Sequence, residues 1–427
     1  MKFLKYKDPE SDFSPLFNRT AFPEDIERSV AAILADIRTD GDKAVAQYAK
    51  KFDNLDLTPA NMRVSQEEID NAENLIDDDI KEAIQLAHAN ITDFSTQNLP
   101  KDWSYNPRPG VRLGEKFTPL QRIACYIPGG TAPLVSTVLH TATMAQAAGV
   151  PEIVITTKGS EDGSVNPAIL YAAKVCGATE VYKMGGVYAV GALAYGTESI
   201  KKVDKIVGPG NAYVTAAKKQ VYGYTALDLV AGPSEIMVIA DKSAPANFIA
   251  ADLLSQAEHG SGFEQAVLVS DSYELLLDVQ AEVLKQKDQL SRTECVEKVV
   301  AGGIYLIEVK DMNEAAEVAT SYAAEHLEIM TENPEAVAKD VKAAGAIFLG
   351  PWTPEPLGDF VAGPSHVLPT GGSAHYFNGL TVGQFFRRTS LVKYEKEALA
   401  KEVDAMSAFA KAEGLDAHGR SGTIRFD

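Results

Sequence analysis

Short runs of β-branched and aromatic residues alternate along the middle of the chain with longer stretches in which apolar residues recur at helical spacing. The runs predict strands at Ile123–Ile127, Ile153–Thr157, Glu180–Lys183, Lys205–Val207, Ile236–Ile239, Ala266–Val269, Ile304–Ile307 and Ala346–Leu349. Helices are predicted between them at Ser136–Ala148, Pro167–Cys176, Asn211–Val221, Ala246–Glu258 and Glu314–Ala324. Strands and helices alternating in this way make parallel sheets covered on both faces, so the expected class is α/β. The first hundred residues read as helical: Glu24–Ala35, Asp42–Lys51, then a capping box Ser65-Gln-Glu-Glu68 opening a long helix to about Phe94. The last fifty residues carry no strand signal and predict a helical tail from about Tyr394 to Glu413.

Gly- and Pro-rich punctuation divides the middle. "IPGG" at 127–130 and "AGPSE" at 231–235 bracket a block with its own strand-helix alternation. The expected organisation is two Rossmann-like parallel-sheet domains, one inserted in the other, with helical N-terminal and C-terminal extensions. Residues 126–235 would be the inserted, nucleotide-binding domain, and 23–125 with 236–378 the discontinuous first domain. Residues 1–22 and 379–427 would be the extensions.

Composition narrows the function. A formal charge of −19 and no Lys/Arg tract oppose a nucleic-acid role. The apolar runs stop short of the roughly 18 residues a membrane helix needs, and the start MKFLKYKDPE has no apolar leader, so the expectation is a cytoplasmic protein. Cys125, Cys176 and Cys295 are too scattered for a metal knuckle and too few for a disulfide framework, which leaves buried thiols. A small molecule is the expected partner.

Three glycine-rich turns fall after predicted strands: "YIPGG", Gly185-Gly-Val-Tyr-Ala-Val-Gly191 and Gly208-Pro-Gly-Asn-Ala-Tyr213. Open α/β sheets bind ligands at such turns, although neither of the last two has the dinucleotide fingerprint spacing. Gln256 and His259 in "DLLSQAEHG" leave one helix face as neighbours. Taken alone, the stretch fits either a metal-binding pair or a solvated helix end with Gly260 as its stop. Among seven histidines, His259, His326, His366 and His418 lie beside carboxylates or glycines rather than within apolar faces. Gln256, His259, Asp359 and His418 together would offer two nitrogens and two oxygens, a mixture suited to zinc or manganese.

The phrases "YIPGGTAPL", "KVDKIVGPGNAYV", "AGPSEIMVIAD", "DLLSQAEHG", "AEHLEI", "HVLPT" and "AEGLDAHGR" stand in the order and spacing of histidinol dehydrogenases, and the chain resembles that family from about residue 20 to residue 425. The resemblance implies oxidation of L-histidinol through histidinal to L-histidine with two NAD, one zinc per subunit, and an intertwined homodimer. It places the zinc ligands on Gln256, His259, Asp359 and His418, the last from the other subunit. The catalytic pair falls on Glu325 and His326. Substrate contacts fall on Ser234, His366 and Glu413 beside the zinc ligands and His326, with Glu413 also reaching in from the partner chain. Nucleotide contacts fall on Tyr126, Tyr188 and Asn211.

Two departures accompany the resemblance. Tyr188 stands where the family usually has a glutamine, so an aromatic ring either stacks on the cofactor or fills space, and the NAD/NADP preference follows from which. Ser365-His366 replaces a commoner Asn-His. His326 suits a general base, and Glu325 a group that polarises water; adjacent residues doing both would be presented from a turn or a helix start. Glu413 favours an imidazole-bearing substrate, because a carboxylate there repels a sulfonate or phosphate. The alternative within the class is a zinc/NAD alcohol dehydrogenase for another small hydroxymethyl compound, such as a sulfopropanediol. A zinc hydrolase would leave the glycine turns unexplained, and a catalytically silent binding protein would not fill every ligand position.

Overall fold

The computed structural model describes residues 1–19, 24–129, 133–259 and 262–427. In chain order its strands are β1 (Lys2–Lys5), β2 (Trp103–Arg108), β3 (Val111–Pro119), β4 (Arg122–Ile127), β5 (Glu152–Thr157), β6 (Glu180–Tyr182) and β7 (Lys205–Val207). These are followed by β8 (Ala226–Leu227), β9 (Glu235–Ala240), β10 (Gln265–Ser270), β11 (Ile304–Glu308), β12 (His326–Met330), β13 (Ala346–Leu349) and β14 (Phe386–Tyr394). Two sheets are parallel, in the orders β6-β5-β4-β7-β8 and β1-β11-β10-β9-β12-β13, and a small antiparallel sheet runs β14-β3-β2. The expected α/β class with two parallel sheets is what the chain adopts.

Central strands are buried throughout because helices cover both of their faces. Every residue of β4 and of β9 is buried. One face of the five-stranded sheet packs Ile123, Ile127 and Ile155 against Val138, Ile169 and Ile91; the other packs Tyr126 and Ile206 against Val30, Leu34 and Leu193. Each such side chain taken fully out of water contributes about 1.5–3 kcal/mol. The six-stranded sheet is covered similarly, with Leu253 and Leu276 on one face and Val318 and Tyr322 on the other.

This packing corrects the expected grouping of residues 23–125 with 236–378. The Glu24–Asp53 helix presents Val30, Ile33, Leu34 and Ile37 at helical spacing to the apolar Gly186–Tyr195 helix, so it belongs to the core of the five-stranded sheet. The Asp78–Gln97 helix adds Ile84, Ala87 and Ile91 to the other face of that same sheet. An edge between residues 125 and 126 would cut β4. The other expected edge, between 22 and 23, lies outside the described residues, as does Gly130 of the "IPGG" turn.

Further expectations are revised. The helix from Glu24 runs to Asp53 with a kink at Gly41 (φ 50°), so the two expected helices meet end to end. The Ser65–Glu68 capping box forms, but its helix ends at Asn71, and extended backbone at Ile76 and Asp77 separates it from the Asp78–Gln97 helix. The extensions are not purely helical. β1 joins the edge of the six-stranded sheet beside β11, and β14 pairs along its whole length with β3. The residues of β14 are exposed or half-buried, so no apolar alternation marks it. Among the described residues no helix is long and apolar enough to cross a membrane.

Candidate active site

β9 and β12 are neighbours in the six-stranded sheet, with His326 in register with Ile236. Both strands begin at the same edge, which brings Glu235, Glu325 and His326 together. The Met312–Tyr322 helix ends at Ala323 in the left-handed conformation (φ 51°, ψ 59°), which swings the chain directly into β12. That backbone costs about 1–2 kcal/mol in a residue with a Cβ. Glu325 and His326 are therefore presented from a strand start, rather than from the expected turn or helix start. The Ala246–Ala257 helix, returning after β9, carries Gln256 back to this edge, fully buried.

His326 Nδ1 lies 3.2 Å from the Glu235 carbonyl oxygen and 3.1 Å from Gln256 Oε1. Both partners are acceptors, so Nδ1 carries a proton and donates, which makes Nε2 the nitrogen free to gain or lose one. Nε2 faces Asp359 Oδ1 at 3.4 Å and Glu355 Oε1 at 3.6 Å. Glu325 Oε2 accepts from the Glu235 backbone N–H at 3.0 Å and lies 3.8 Å from His326 Nδ1. The backbone of Glu235 thus holds both members of the pair. Its side chain is held in turn by Arg19 at 2.8 Å and by the Gly371 N–H at 3.0 Å.

Several carboxyl groups are buried here, and their ionised forms have few protein cations to balance them. Burial pushes the Glu325 and Glu355 carboxyls up to about 8. Burial opposes the His326 imidazolium, but Glu325, Asp359 and Glu355 outweigh it and push His326 up to about 10. Glu328, on β12, is raised by burial and by Asp252, and its Oε1 accepts from the Glu355 N–H at 2.7 Å. Gln256 Nε2, His326 Nε2 and Glu355 Oε1 are buried without an aligned hydrogen bond among the described residues. Ligand atoms of His326, Glu355 and Asp359 lie within 4.8 Å of one another. One imidazole nitrogen amid several carboxylates, with buried lone pairs unused, fits a divalent cation.

The remaining expected site residues fall in different places. His259 is exposed just beyond the Ala246–Ala257 helix, close enough for the charges of Asp359 and His326 to act on it; Gly260, its expected stop, lies outside the described residues. Ser234, half-buried, directly precedes β9. His366 is half-buried, and its ring stacks on the fully buried His140. Glu413 and His418 are exposed on the tail helices, and no described contact joins them to the cluster. Glu355, Glu328, Glu235 and His140 were missed. The available signal was a glutamate inside otherwise apolar strand text, as in "HLEIM" and "EIMVIA".

A second polar centre sits at the carboxyl ends of β4, β5, β6 and β7. Gly208 (φ 114°) lies so close to β4 that a Cβ would come 2.2 Å from the Tyr126 carbonyl oxygen, so only glycine fits. Its turn is fixed by a buried Lys218–Asp228 ion pair: Lys218 donates to the Gly208 carbonyl at 2.7 Å, and Asp228 accepts the Gly208 N–H at 2.6 Å. Asn211 caps the Ala212–Val221 helix through its Oδ1, which leaves its amide N–H group outward. Tyr126 is buried, and its hydroxyl accepts from the Gly186 N–H at 3.0 Å. Tyr188 is also buried, 1% exposed, which rules out a ring stacked on a cofactor here.

Known proteins share the sequence and the fold of this chain. The sequence profile described as histidinol dehydrogenase matches residues 18–426. A histidinol dehydrogenase from Heliobacterium mobile is 44% identical over 427 residues, covering 100% of both chains. One from Agrobacterium fabrum is 45% identical over 404 residues, covering 95% of this chain and 93% of the relative. The crystal structure of histidinol dehydrogenase from Elizabethkingia anophelis superposes with a TM-score of 0.93 at 37% identity, covering 100% of this chain and 98% of that one.

Proposed function

Because the chain belongs to the histidinol dehydrogenase family, NAD-dependent oxidoreductases that catalyse the last step of histidine biosynthesis and use zinc, we propose the following roles for its residues. Gln256, His259 and Asp359 hold zinc together with His418 supplied by a second copy of the chain. When bound, zinc offsets the carboxylate charge around His326 and offers a Lewis-acid contact to the amine and imidazole nitrogens of histidinol. Ser234, His366 and Glu413 of a second copy bind the substrate. Tyr126 and Asn211 line the nucleotide side, at the carboxyl edge of the five-stranded sheet.

Relieved of excess negative charge, His326 takes the alcohol proton on Nε2 as a hydride leaves the hydroxymethyl carbon for the nicotinamide. The Nδ1–H bonds to Glu235 and Gln256 keep the ring in the tautomer this requires. Glu325 takes a proton from the water that adds to the aldehyde, while His326 returns its proton to the carbonyl oxygen, which gives the gem-diol and leaves the imidazole neutral again. His326 then removes a proton from the resulting gem-diol as the second hydride leaves. The division into a nucleotide unit around the five-stranded sheet and a metal unit around the six-stranded sheet belongs to the same reading. Dimerisation is supported by apolar side chains left in water on the tail and on β14, among them Val392 (70% exposed) and Phe409 (69%).

The observation that carries this reading is the convergence of buried His326, Glu325, Gln256 and Glu355 with half-buried Asp359 at the start of β12. The test is NADH formed per L-histidinol consumed by zinc-loaded protein. Two NADH per histidinol, lost with a chelator and with His326→Asn, is expected. Turnover of a different primary alcohol but not of histidinol would overturn the substrate assignment.

A further inference from the structure

The Tyr188 hydroxyl is the hub of a buried polar chain. It donates to Asp53 Oδ2 at 2.5 Å and accepts from the Gly185 N–H at 3.3 Å. Asp53 Oδ1 pairs with Lys158 Nζ at 3.0 Å. Burial and the Asp53 charge both raise the phenol, so the proton stays on Tyr188 and points at the carboxylate. Lys158 follows β5, and glycines hold its stem on two sides. A Cβ at Gly129 would lie 2.5 Å from Lys158 Cβ, and one at Gly185 would lie 3.0 Å from it. Asp53 is largely covered (10% exposed), whereas the lysine side chain keeps 39% of its surface open. The chain therefore runs from the core outward and ends in an ammonium among the glycine turns.

Both leading N–H groups of the Gly186–Tyr195 helix are already taken, Gly185 by Tyr188 and Gly186 by Tyr126. That helix start has little left to offer a phosphate. A cation held at the carboxyl edge of a parallel sheet is the group suited to an anionic ligand there. We propose that Tyr188 is a positioning residue for the nucleotide: it does not touch the dinucleotide but, through Asp53, sets Lys158 to meet one of its phosphate groups. This rests on the reading of the five-stranded sheet as the nucleotide unit.

The test is calorimetric titration of NAD, and in parallel NADP, into zinc-loaded full-length protein, with steady-state kinetics alongside. Tyr188→Phe keeps the ring and removes only the hub hydroxyl; Asp53→Asn and Lys158→Met remove the next links. Each is expected to weaken NAD by about tenfold, the order of one charge-assisted hydrogen bond. KM for NAD should rise while KM for histidinol stays put and kcat changes less. The double variant Tyr188→Phe/Lys158→Met should bind no more weakly than Lys158→Met alone, because the two act in series. Equal weakening of NAD and NADP puts Lys158 on the diphosphate; weakening of NADP alone, with NAD binding unchanged, overturns the assignment.

Wild-type affinity in Tyr188→Phe overturns the proposal, as does additivity in the double variant. Lys158→Met, at a half-exposed position, supplies the answer if Tyr188→Phe fails to fold. Wild-type protein that binds no dinucleotide sinks the nucleotide reading itself; wild-type binding with unaffected variants sinks only the positioning role.

Discussion

The imidazole rings of His140 and His366 stack with centroids 4.5 Å apart and planes 21° apart, joining the two parallel-sheet units. His140 lies on the Val135–Ala147 helix against the five-stranded sheet, while His366 follows the Glu355–Phe360 helix beside the metal-competent cluster. Burial and the neighbouring His366 push His140 down to about 3, so it is a neutral plate behind the second ring.

If that plate sets the His366 ring, its flatness matters more than its nitrogens. His140→Phe should keep KM for histidinol near the wild-type value. His140→Ala should raise KM and, by leaving a cavity, lower stability by about 2–5 kcal/mol. Thermal melts with histidinol kinetics check this, and equal KM values in both variants would refute the role.

Metal and stability should be linked. Zinc added to metal-free protein at a hundredfold excess over its Kd should stabilise the fold by about 2.7 kcal/mol, read as an upward Tm shift. Asp359→Ala and His418→Ala should each reduce the shift. Wild-type zinc affinity in His418→Ala would remove it from the ligand set.

Glu325→Gln should separate the two oxidations. Its carboxylate is assigned to water addition, so the aldehyde step should slow more than the alcohol step, by about 10²–10⁴-fold for a lost general base. Rapid-mixing measurements should show one NADH formed quickly and histidinal accumulating. Equal slowing of both steps would contradict the assignment.

Acid stability should depend on Arg122 and Glu180, paired at 2.9 Å. Burial alone would raise the Glu180 carboxyl, but its hydrogen bonds from Arg122 and Tyr182 outweigh burial and hold it below the usual range. A lowered carboxyl stabilises the fold fully above its unfolded pKa, near 4.3, and loses that contribution as pH falls through the folded value. Arg122→Met should cost about 3 kcal/mol at neutral pH. The gap in Tm from wild type should narrow on acidification; a gap that stays constant to pH 3 would exclude this linkage.

Outside β1, β8 and β12, local pattern alone determined the parallel strands of the two sheets, five of the helices between them and the Ser65–Glu68 capping box. Each follows from side-chain periodicity or from one hydrogen-bonded turn, and neither depends on distant residues. The motifs likewise marked Gln256, Asp359, Glu325 and His326 before any coordinates. Tertiary structure decided what comes from pairing across long sequence distances. The Glu24–Asp53 helix joined the five-stranded sheet because the Gly186–Tyr195 helix offered it an apolar face, and β14 became a strand because β3 lay open beside it. Glu355 entered the site because Glu328, on another element, holds its N–H. Tyr188 turned inward because Asp53 accepts its hydroxyl, and nothing in the residues around position 188 names that partner.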